Sequence, residues 1–163
     1  MKEVSINKNM HLSEHFTLGE VTKTSVKTAD GNIPSHVAIE NLKNLCENWL
    51  EELREKYNLI YEGVGDCKGD EPIIITSGYR SPEVNKAVGG APTSNHLTGC
   101  AVDIRCVGIE QALRYACILL DIADGTKQDY DELFIERSKQ GRYWVHFAVR
   151  PKENRRKTAF IQT

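Results

Sequence analysis

The chain has 163 residues, with 21 lysines and arginines against 23 aspartates and glutamates, which gives a formal net charge of −2. About 40% of the residues are hydrophobic and 27% are charged, as in ordinary soluble domains. This length suits one monomeric domain, residues 1–163, with a core that needs no disulfides. The balanced charge argues against a protein that coats nucleic acid, and no apolar run is long enough for membrane insertion.

The termini and the cysteines narrow the class further. The first ten residues lack the apolar stretch of a secretory signal, so we predict no Sec-type leader. The cysteine count is odd and no C-x-x-C pair occurs, which argues against a disulfide framework and excludes a four-cysteine zinc site. We therefore expect reduced, mostly buried thiols. The cysteines are Cys46, Cys67, Cys100, Cys106 and Cys117.

In chain order, the first elements are an arm and a long helix. Residues 11–30 read as an arm with a helical turn or two, and Ser35 is a candidate N-cap for the helix that follows. Apolar residues there recur with the i, i+3, i+4, i+7 spacing, which predicts core packing rather than a cofactor site. These positions are Ile39, Leu42, Leu45, Cys46, Trp49, Leu50 and Leu53.

The middle of the chain predicts a loop, a strand and a second helix. Residues 62–71 are polar and glycine-rich but lack the third glycine of a dinucleotide fingerprint, so we interpret them as a surface loop. Residues 72–76 are β-branched and predict a short buried strand. Residues 109–120 predict a helix. Its expected buried positions are Ile109, Ala112, Leu113, Ala116, Leu119 and Leu120.

A hairpin and a basic tail complete the predicted elements. Two apolar and aromatic runs between residues 133 and 149 flank Ser138-Lys139-Gln140-Gly141. A three-residue loop, residues 139–141, would place Gly141 in the left-handed conformation of a bulged turn. From about residue 151 the chain is polar and basic, and we expect a solvated tail rather than one that contacts an anionic envelope polymer.

Three side chains carry the candidate chemistry. His96 and Asp103 stand seven residues apart, and His146 follows in an aromatic run. Two imidazoles and one carboxylate, with one position left for water, form a common ligand set of catalytic zinc. Zinc lowers the pKa of its bound water and polarises a carbonyl. Spacing alone leaves the alternative that each histidine is simply a core residue with its hydrogen bonds satisfied.

A wider pattern contains these three residues. Its parts are Ser77-Gly-Tyr-Arg-Ser-Pro82, Asn85, Val88-Gly-Gly90, Ser94-x-His96-x-x-Gly99-x-Ala101-x-Asp103-Ile104 and Trp144-Val-His146. With these motifs the sequence resembles the zinc D-Ala-D-Ala carboxypeptidase family over roughly residues 12–149. The resemblance implies an α+β, Hedgehog/DD-peptidase-like fold with a central antiparallel sheet flanked by helices. It also implies one Zn²⁺ ion held by His96, Asp103 and His146.

The resemblance implies two substrate-binding residues as well. Arg80 would bind a substrate carboxylate, a task suited to a planar guanidinium that donates two hydrogen bonds. The alternative is that Arg80 is a surface residue after a turn. Ser94 would orient the site or bind substrate, although a turn-forming hydroxyl is an equal alternative.

The general base cannot be transferred directly from the family. Many members carry an acidic residue three positions before the last histidine ligand, where this chain has Tyr143. We predict Glu136 instead. With the three-residue loop, Glu136 faces Trp144 and shares one face of the ribbon with His146. Diagonal neighbours lie ~7 to 8 Å apart, within reach of a metal-bound water.

That assignment depends on the loop length. A loop with an even number of residues would turn Glu136 away from the site, because side chains alternate along a strand. The alternatives are then Asp131, Glu132 or a site without a base.

These features predict a zinc metallopeptidase that hydrolyses D-alanine-containing peptide stems or cross-links of bacterial peptidoglycan, as a D,D-carboxypeptidase or an endopeptidase. One alternative is an inactive zinc-binding module that recognises wall fragments or a protein; another is a structural domain without zinc. The expected partner is a peptidoglycan stem peptide outside the cytoplasm. Release as a phage-type, endolysin-like lysis enzyme, a leader absent from this sequence or a non-classical route would each reconcile this location with the missing signal.

Overall fold

The computed structural model describes residues 5–163 as a five-stranded sheet packed against helices. The helices are α1 (Leu18–Val21), α2 (His36–Leu45), α3 (Glu51–Tyr61), α4 (Pro82–Ala87) and α5 (Gly108–Thr126). The strands are β1 (Ile75–Ser77), β2 (Ala101–Cys106), β3 (Glu132–Arg137), β4 (Tyr143–Ala148) and β5 (Lys157–Gln162), in the sheet order β1-β2-β4-β3-β5. The leader prediction concerns residues 1–10, of which residues 1–4 lie outside the described residues.

The predicted first helix is confirmed and is longer than one regular α-helix. Ser35 caps α2 by accepting a hydrogen bond from the backbone N–H of Ala38. A π-helical segment, Cys46–Leu50, joins α2 to α3, and such a segment inserts an extra residue into a helix. The predicted apolar positions are buried, except that Ile39 is partly buried. Trp49 packs against Phe147 of the sheet with ring centroids 5.0 Å apart.

The predicted second helix is confirmed, but its predicted buried stripe is partly wrong. Ile109 and Leu113 are exposed, although Ala112, Ala116 and Leu119 are buried as expected. The buried stripe is completed by Tyr115, Ile118, Ile122 and Ala123. Tyr115 packs edge-on against Tyr57 of α3. The side of α5 that carries Tyr115 therefore faces α3, and Leu113 lies on the exposed side.

The hairpin has the predicted loop and register. Gly141 has φ = 80°, and the backbone N–H of Ser138 donates to the carbonyl of Arg142. Glu136 is therefore paired with Trp144 across β3 and β4. The odd-numbered loop thus puts Glu136 on the face that the prediction required.

The C-terminal segment does not form the solvated tail that the sequence predicted. Residues 157–162 form β5, which pairs in parallel with β3. The predicted antiparallel sheet is therefore correct for β1 to β4 and wrong for β5, and the sheet is mixed. The side chains of β5 are largely exposed, so the strand carries no clear alternation of buried and exposed residues that would have revealed it.

The two faces of the sheet have different environments. Val102, Ile104, Val145 and Phe147 lie in the hydrophobic core between the sheet and the helices. Strand β1 is shorter than the predicted 72–76 and pairs only with β2, at one edge of the sheet. The opposite face carries the polar side chains of β2, β3 and β4 because residues alternate along each strand.

The remaining expectations concern the cysteines and membranes. All five cysteines are free, and only Cys117 is exposed. Among residues 5–163, no helix has the length and apolar character needed to cross a bilayer.

Candidate functional site

The three predicted metal ligands meet on the polar face of the sheet. Asp103 and His146 are direct partners across β2 and β4, and His96 comes from a 3₁₀ turn, Asn95–Thr98, that precedes β2. Their candidate donor atoms all lie within 4.8 Å of one another. His146 Nδ1 is 3.0 Å from Asp103 Oδ1, and His96 Nε2 is 3.4 Å from Asp103 Oδ2.

A backbone contact orients His96. Its Nδ1 lies 2.6 Å from the carbonyl oxygen of Gly78, which can only accept a hydrogen bond. This contact assigns the proton to Nδ1 and leaves the Nε2 lone pair facing Asp103. Gly78 also lies directly against the end of α1. A side chain does not fit there, because a Cβ at residue 78 would lie 2.1 Å from the carbonyl oxygen of Val21.

Asp103 is a buried carboxylate surrounded by positive or hydrogen-bonding groups. Arg80 Nη2 donates to its Oδ2 at 3.0 Å, and Arg80 Nε donates to Ser77 Oγ. Burial opposes ionisation, but charge attraction and hydrogen bonds from His96 and His146 hold the pKa of Asp103 well below its usual range. Arg80 is therefore not a free surface residue; it lies beside a candidate ligand.

The residues present fit a zinc ion. Two imidazole nitrogens and one carboxylate oxygen form a donor set of catalytic zinc, and His96 has the second hydrogen bond that ligating histidines normally make. Burial lowers the pKa of His146, but the hydrogen bonds to Asp103 and Glu132 outweigh it and raise that pKa to about 9. A metal at this ring therefore competes with a proton.

Glu136 lies on the wall of the same cavity as the three ligands. Its carboxylate accepts a hydrogen bond from the indole N–H of its cross-strand partner Trp144. Burial raises the pKa of Glu136 above its ordinary value, and the negative charge of Asp103 adds to this effect. A carboxylate with a raised pKa is suited to exchanging protons near neutral pH, as the predicted role requires.

The two alternative candidates for the general base, Glu132 and Asp131, are each bound by positively charged or hydrogen-bonding side chains. Glu132 Oε1 lies 3.3 Å from His146 Nε2, and this hydrogen bond lowers the pKa of Glu132 despite its burial. Asp131 has no exposed surface, and both of its oxygens accept hydrogen bonds from Arg155. The partners of Glu132 and Asp131 lower the pKa of each carboxylate below its ordinary value, whereas the pKa of Glu136 is raised despite the hydrogen bond from Trp144.

A cavity of about 280 Å³ opens beside these groups. Ser94 lies on its wall, and its Oγ accepts a hydrogen bond from the backbone N–H of His96, so the turn-forming function is present. The cavity is lined by Arg80, Gly90, Ala91, Thr93, Ser94, Asn95, His96, Asp103, Glu132, Phe134, Glu136, His146, Arg150 and Arg155.

Sequence reasoning missed several of these lining residues. Asn95, Phe134, Arg150 and Arg155 were not predicted at the site, and Glu132 was considered only as a base. The period of two along β3 could have identified two of them, because residues 132 and 134 share the face of Glu136. Phe134 stacks on the His146 ring with centroids 5.4 Å apart. The position of Arg155 depends on β5, which the sequence did not reveal.

Comparison with known proteins supports the resemblance noted in the sequence. The sequence model of the family described as Peptidase M15 matches residues 14–122. A zinc D-Ala-D-Ala carboxypeptidase from Streptomyces albus G is 30% identical over 91 residues. The alignment covers 55% of this chain and 31% of the relative, so the chain spans about a third of that protein's length.

Proposed function

Because this chain belongs to the peptidase M15 family, we propose that it is a zinc metallopeptidase that hydrolyses D-alanine-containing peptides of bacterial peptidoglycan. The observation that carries the proposal is the convergence of His96, Asp103 and His146 beside Glu136, on the wall of one cavity. The name of the Streptomyces relative supports both the metal and the D-alanine chemistry.

In this proposal the chain's own residues divide the chemical work. Bound zinc would supply a Lewis acid and a water of lowered pKa. Glu136 accepts the proton of the attacking water and delivers it to the departing amine, which requires a carboxylate whose pKa is raised toward neutrality. The hydrogen bond from the indole N–H of Trp144 fixes the orientation of the Glu136 carboxylate.

Arg80 would bind the substrate. Its Nε and Nη2 are used by Ser77 and Asp103, which holds the guanidinium plane at the cavity wall. Because these two contacts fix the orientation of the guanidinium, its remaining nitrogen, Nη1, can donate to a substrate carboxylate. Ser94 supports this wall through the His96 turn.

The test is hydrolysis by the purified, zinc-loaded protein. A peptide that ends in D-Ala-D-Ala and isolated cell wall are the two substrates, and mass analysis of the fragments identifies the bond that is cut. We expect Glu136→Gln to bind zinc normally and to lose about 10²- to 10⁴-fold in kcat/KM. Glu110→Gln, the same change on the exposed surface of α5, is the matched control and keeps full activity.

The remaining outcomes either reject a defined part of the proposal or identify the bond that is cut. Equal rates for wild type and Glu136→Gln would exclude Glu136 as the base. Tight zinc binding without cleavage of either substrate would favour the inactive zinc-binding module. Cleavage only at a terminal D-alanine identifies a carboxypeptidase, whereas cleavage of a cross-link or of a bond inside a stem identifies an endopeptidase and supports the endolysin-like role.

A further inference from the structure

Asp131 is the centre of a buried polar cluster behind the zinc ligands. It has no exposed surface, yet it carries a negative charge with fixed partners. Arg155 binds it in a bidentate manner, with Nε 2.9 Å from Oδ1 and Nη2 2.7 Å from Oδ2. The backbone N–H of Arg155 also donates to Oδ1 at 3.0 Å. A residue from the segment that precedes β5 thus satisfies a charge buried at the start of β3.

Asn95 connects this cluster to both histidine ligands. Its Nδ2 group donates to Asp131 Oδ2 at 2.8 Å and to Glu132 Oε1 at 2.6 Å. Its Oδ1 accepts a hydrogen bond from Arg150 at 3.0 Å, so both ends of the buried amide are used. Asn95 directly precedes His96 in the 3₁₀ turn, and therefore its side chain anchors that turn.

Glu132 completes the connection. Its Oε1 lies 3.3 Å from His146 Nε2, while the Nδ1 atom of the same ring lies 3.0 Å from Asp103. If Nδ1, the ring nitrogen beside Asp103, were to hold the metal, Nε2 would carry the proton and donate to Glu132. A carboxylate in this position sets the tautomer and the ring orientation of a ligating histidine.

We propose that Arg155, through Asp131 and Asn95, holds Glu132 and the His96 turn in place and so positions the two histidine ligands of the zinc site. The inference rests on the zinc site of the proposed function and adds to it four positioning residues. None of the four is a metal ligand; each acts on zinc through His96 or His146.

The physical reason is the burial of Asp131 and Asn95, which are 0% and 6% exposed. A buried carboxylate such as Asp131 needs its partners, because an unpaired charge in the interior is strongly unfavourable. Without the Arg155 guanidinium, Asp131 keeps the backbone N–H of residue 155, Arg150 Nε at 3.2 Å from its Oδ2, and the Asn95 amide, which it would then draw away from Glu132. Glu132 would then lose its 2.6 Å donor and rotate away from His146.

The experiment compares two neighbouring arginines. Arg155 binds Asp131, whereas Arg156 pairs with the exposed Asp124 and Asp129 and makes no contact with the cluster. Zinc affinity is measured at neutral pH by competition with a chromophoric chelator. We expect Arg155→Ala and Glu132→Gln to weaken zinc binding about 10- to 100-fold, as other losses of such supporting groups do, and Arg156→Ala to leave it unchanged.

A spectroscopic readout separates positioning from general destabilisation. The cobalt(II)-loaded proteins are compared by visible absorption, which reports the ligand geometry and not the stability of the fold. We expect altered spectra for Arg155→Ala and Glu132→Gln and a wild-type spectrum for Arg156→Ala. Arg155→Lys keeps the charge without the bidentate geometry, so it should fold and give an intermediate zinc affinity.

The possible failures are distinguishable. Wild-type protein that binds no zinc would overturn the proposed function itself. Zinc-binding wild type with equally tight Arg155→Lys and Glu132→Gln variants would overturn only this inference. Equal weakening by Arg155→Ala and Arg156→Ala would also overturn it, because the effect would then come from the C-terminal segment as a whole.

Discussion

Strand β4 separates two regions with different physical demands. Its residues Val145 and Phe147 lie in the apolar core against the helices. Trp144 and His146, the alternate residues, lie on the opposite face among carboxylates and arginines. The core face is stabilised by burial of apolar surface, which needs no particular partner. On the site face, each buried polar group is unfavourable unless it forms a hydrogen bond or an ion pair with a specific partner.

Substitutions on the two faces should therefore change different properties of the protein. A change on the core face alters packing and hence the free energy of unfolding. A change on the site face alters the position or protonation of a group, and its main effect is on metal binding or on rate. Of the three predictions that follow, the first and the last test this separation, and the second tests the stability that a buried charge gains from its partners; each has a matched residue from another environment.

The largest effect is expected from the adjacent pair His146 and Phe147. His146→Ala removes a candidate metal ligand, so zinc binding and hydrolysis should be lost. Phe147→Ala should lower the free energy of unfolding by about 3 to 5 kcal/mol and leave zinc binding of the folded fraction intact. Urea unfolding in the presence of a chelator, with zinc titration in parallel, measures both quantities.

In that chelator experiment, His146→Ala should cost at most half as much stability as Phe147→Ala, because Asp103 keeps Arg80 and His96 as partners. Equal destabilisation by the two variants would show that the two faces of β4 are not separable.

An intermediate effect is expected at Asp131. Burial raises the pKa of Asp131, but the hydrogen bonds from Arg155 and Asn95 more than offset this effect and lower the pKa to about 2. A lowered pKa contributes stability that is fully present above the unfolded value of about 3.9 and is lost as the pH falls through the folded value. Asp131→Asn should therefore lower stability at neutral pH.

The pH series is the sharper measurement. The stability difference between wild type and Asp131→Asn should narrow as the pH falls from about 4 toward 2. Asp129→Asn, which removes an exposed carboxylate paired with Arg156, should cost less than about 1 kcal/mol. A difference that stays constant over this pH range would contradict the ion-pair explanation.

The smallest effect is expected from the two tryptophans. Trp144→Phe removes the N–H that favours the ionised form of Glu136, so the pKa of Glu136 should rise further. The acidic limb of the kcat/KM profile should move to higher pH, with about a tenfold loss of rate on that limb and recovery at higher pH.

Trp49→Phe is the matched change on the core side, where Trp49 packs against Phe147. It should lower stability and leave the pH profile unchanged. A shifted profile in Trp49→Phe, or none in Trp144→Phe, would break the distinction between the two faces.

Much of the candidate site was predictable because its signals are local. The period of two along the hairpin, together with the glycine at residue 141, is enough to predict that Glu136 lies opposite Trp144, and the register of β3 and β4 confirms it. The spacing of His96 and Asp103 indicated a metal site for the same reason, since both residues belong to one turn and the strand that follows it.

Other features were not predictable because they depend on contacts between distant segments. Leu113 satisfied the helical period of α5, but Tyr115 forms the contact with α3. The polar segment around Arg155 has the composition of a solvated tail, yet Arg155 binds a carboxylate that is 24 residues away.

The sequence was enough to predict the candidate ligand residues, the register of the hairpin and the family. These follow from residue types at short spacings, where backbone geometry leaves few arrangements. The place of β5 in the sheet and the contact between Arg155 and Asp131 depend instead on how distant segments fold together. The same holds for the contact between Glu132 and His146 and for the position of Glu136 on the cavity wall. The reason is that a buried charge acquires its partner from whichever segment folds against it, and that choice is made by packing across the whole chain.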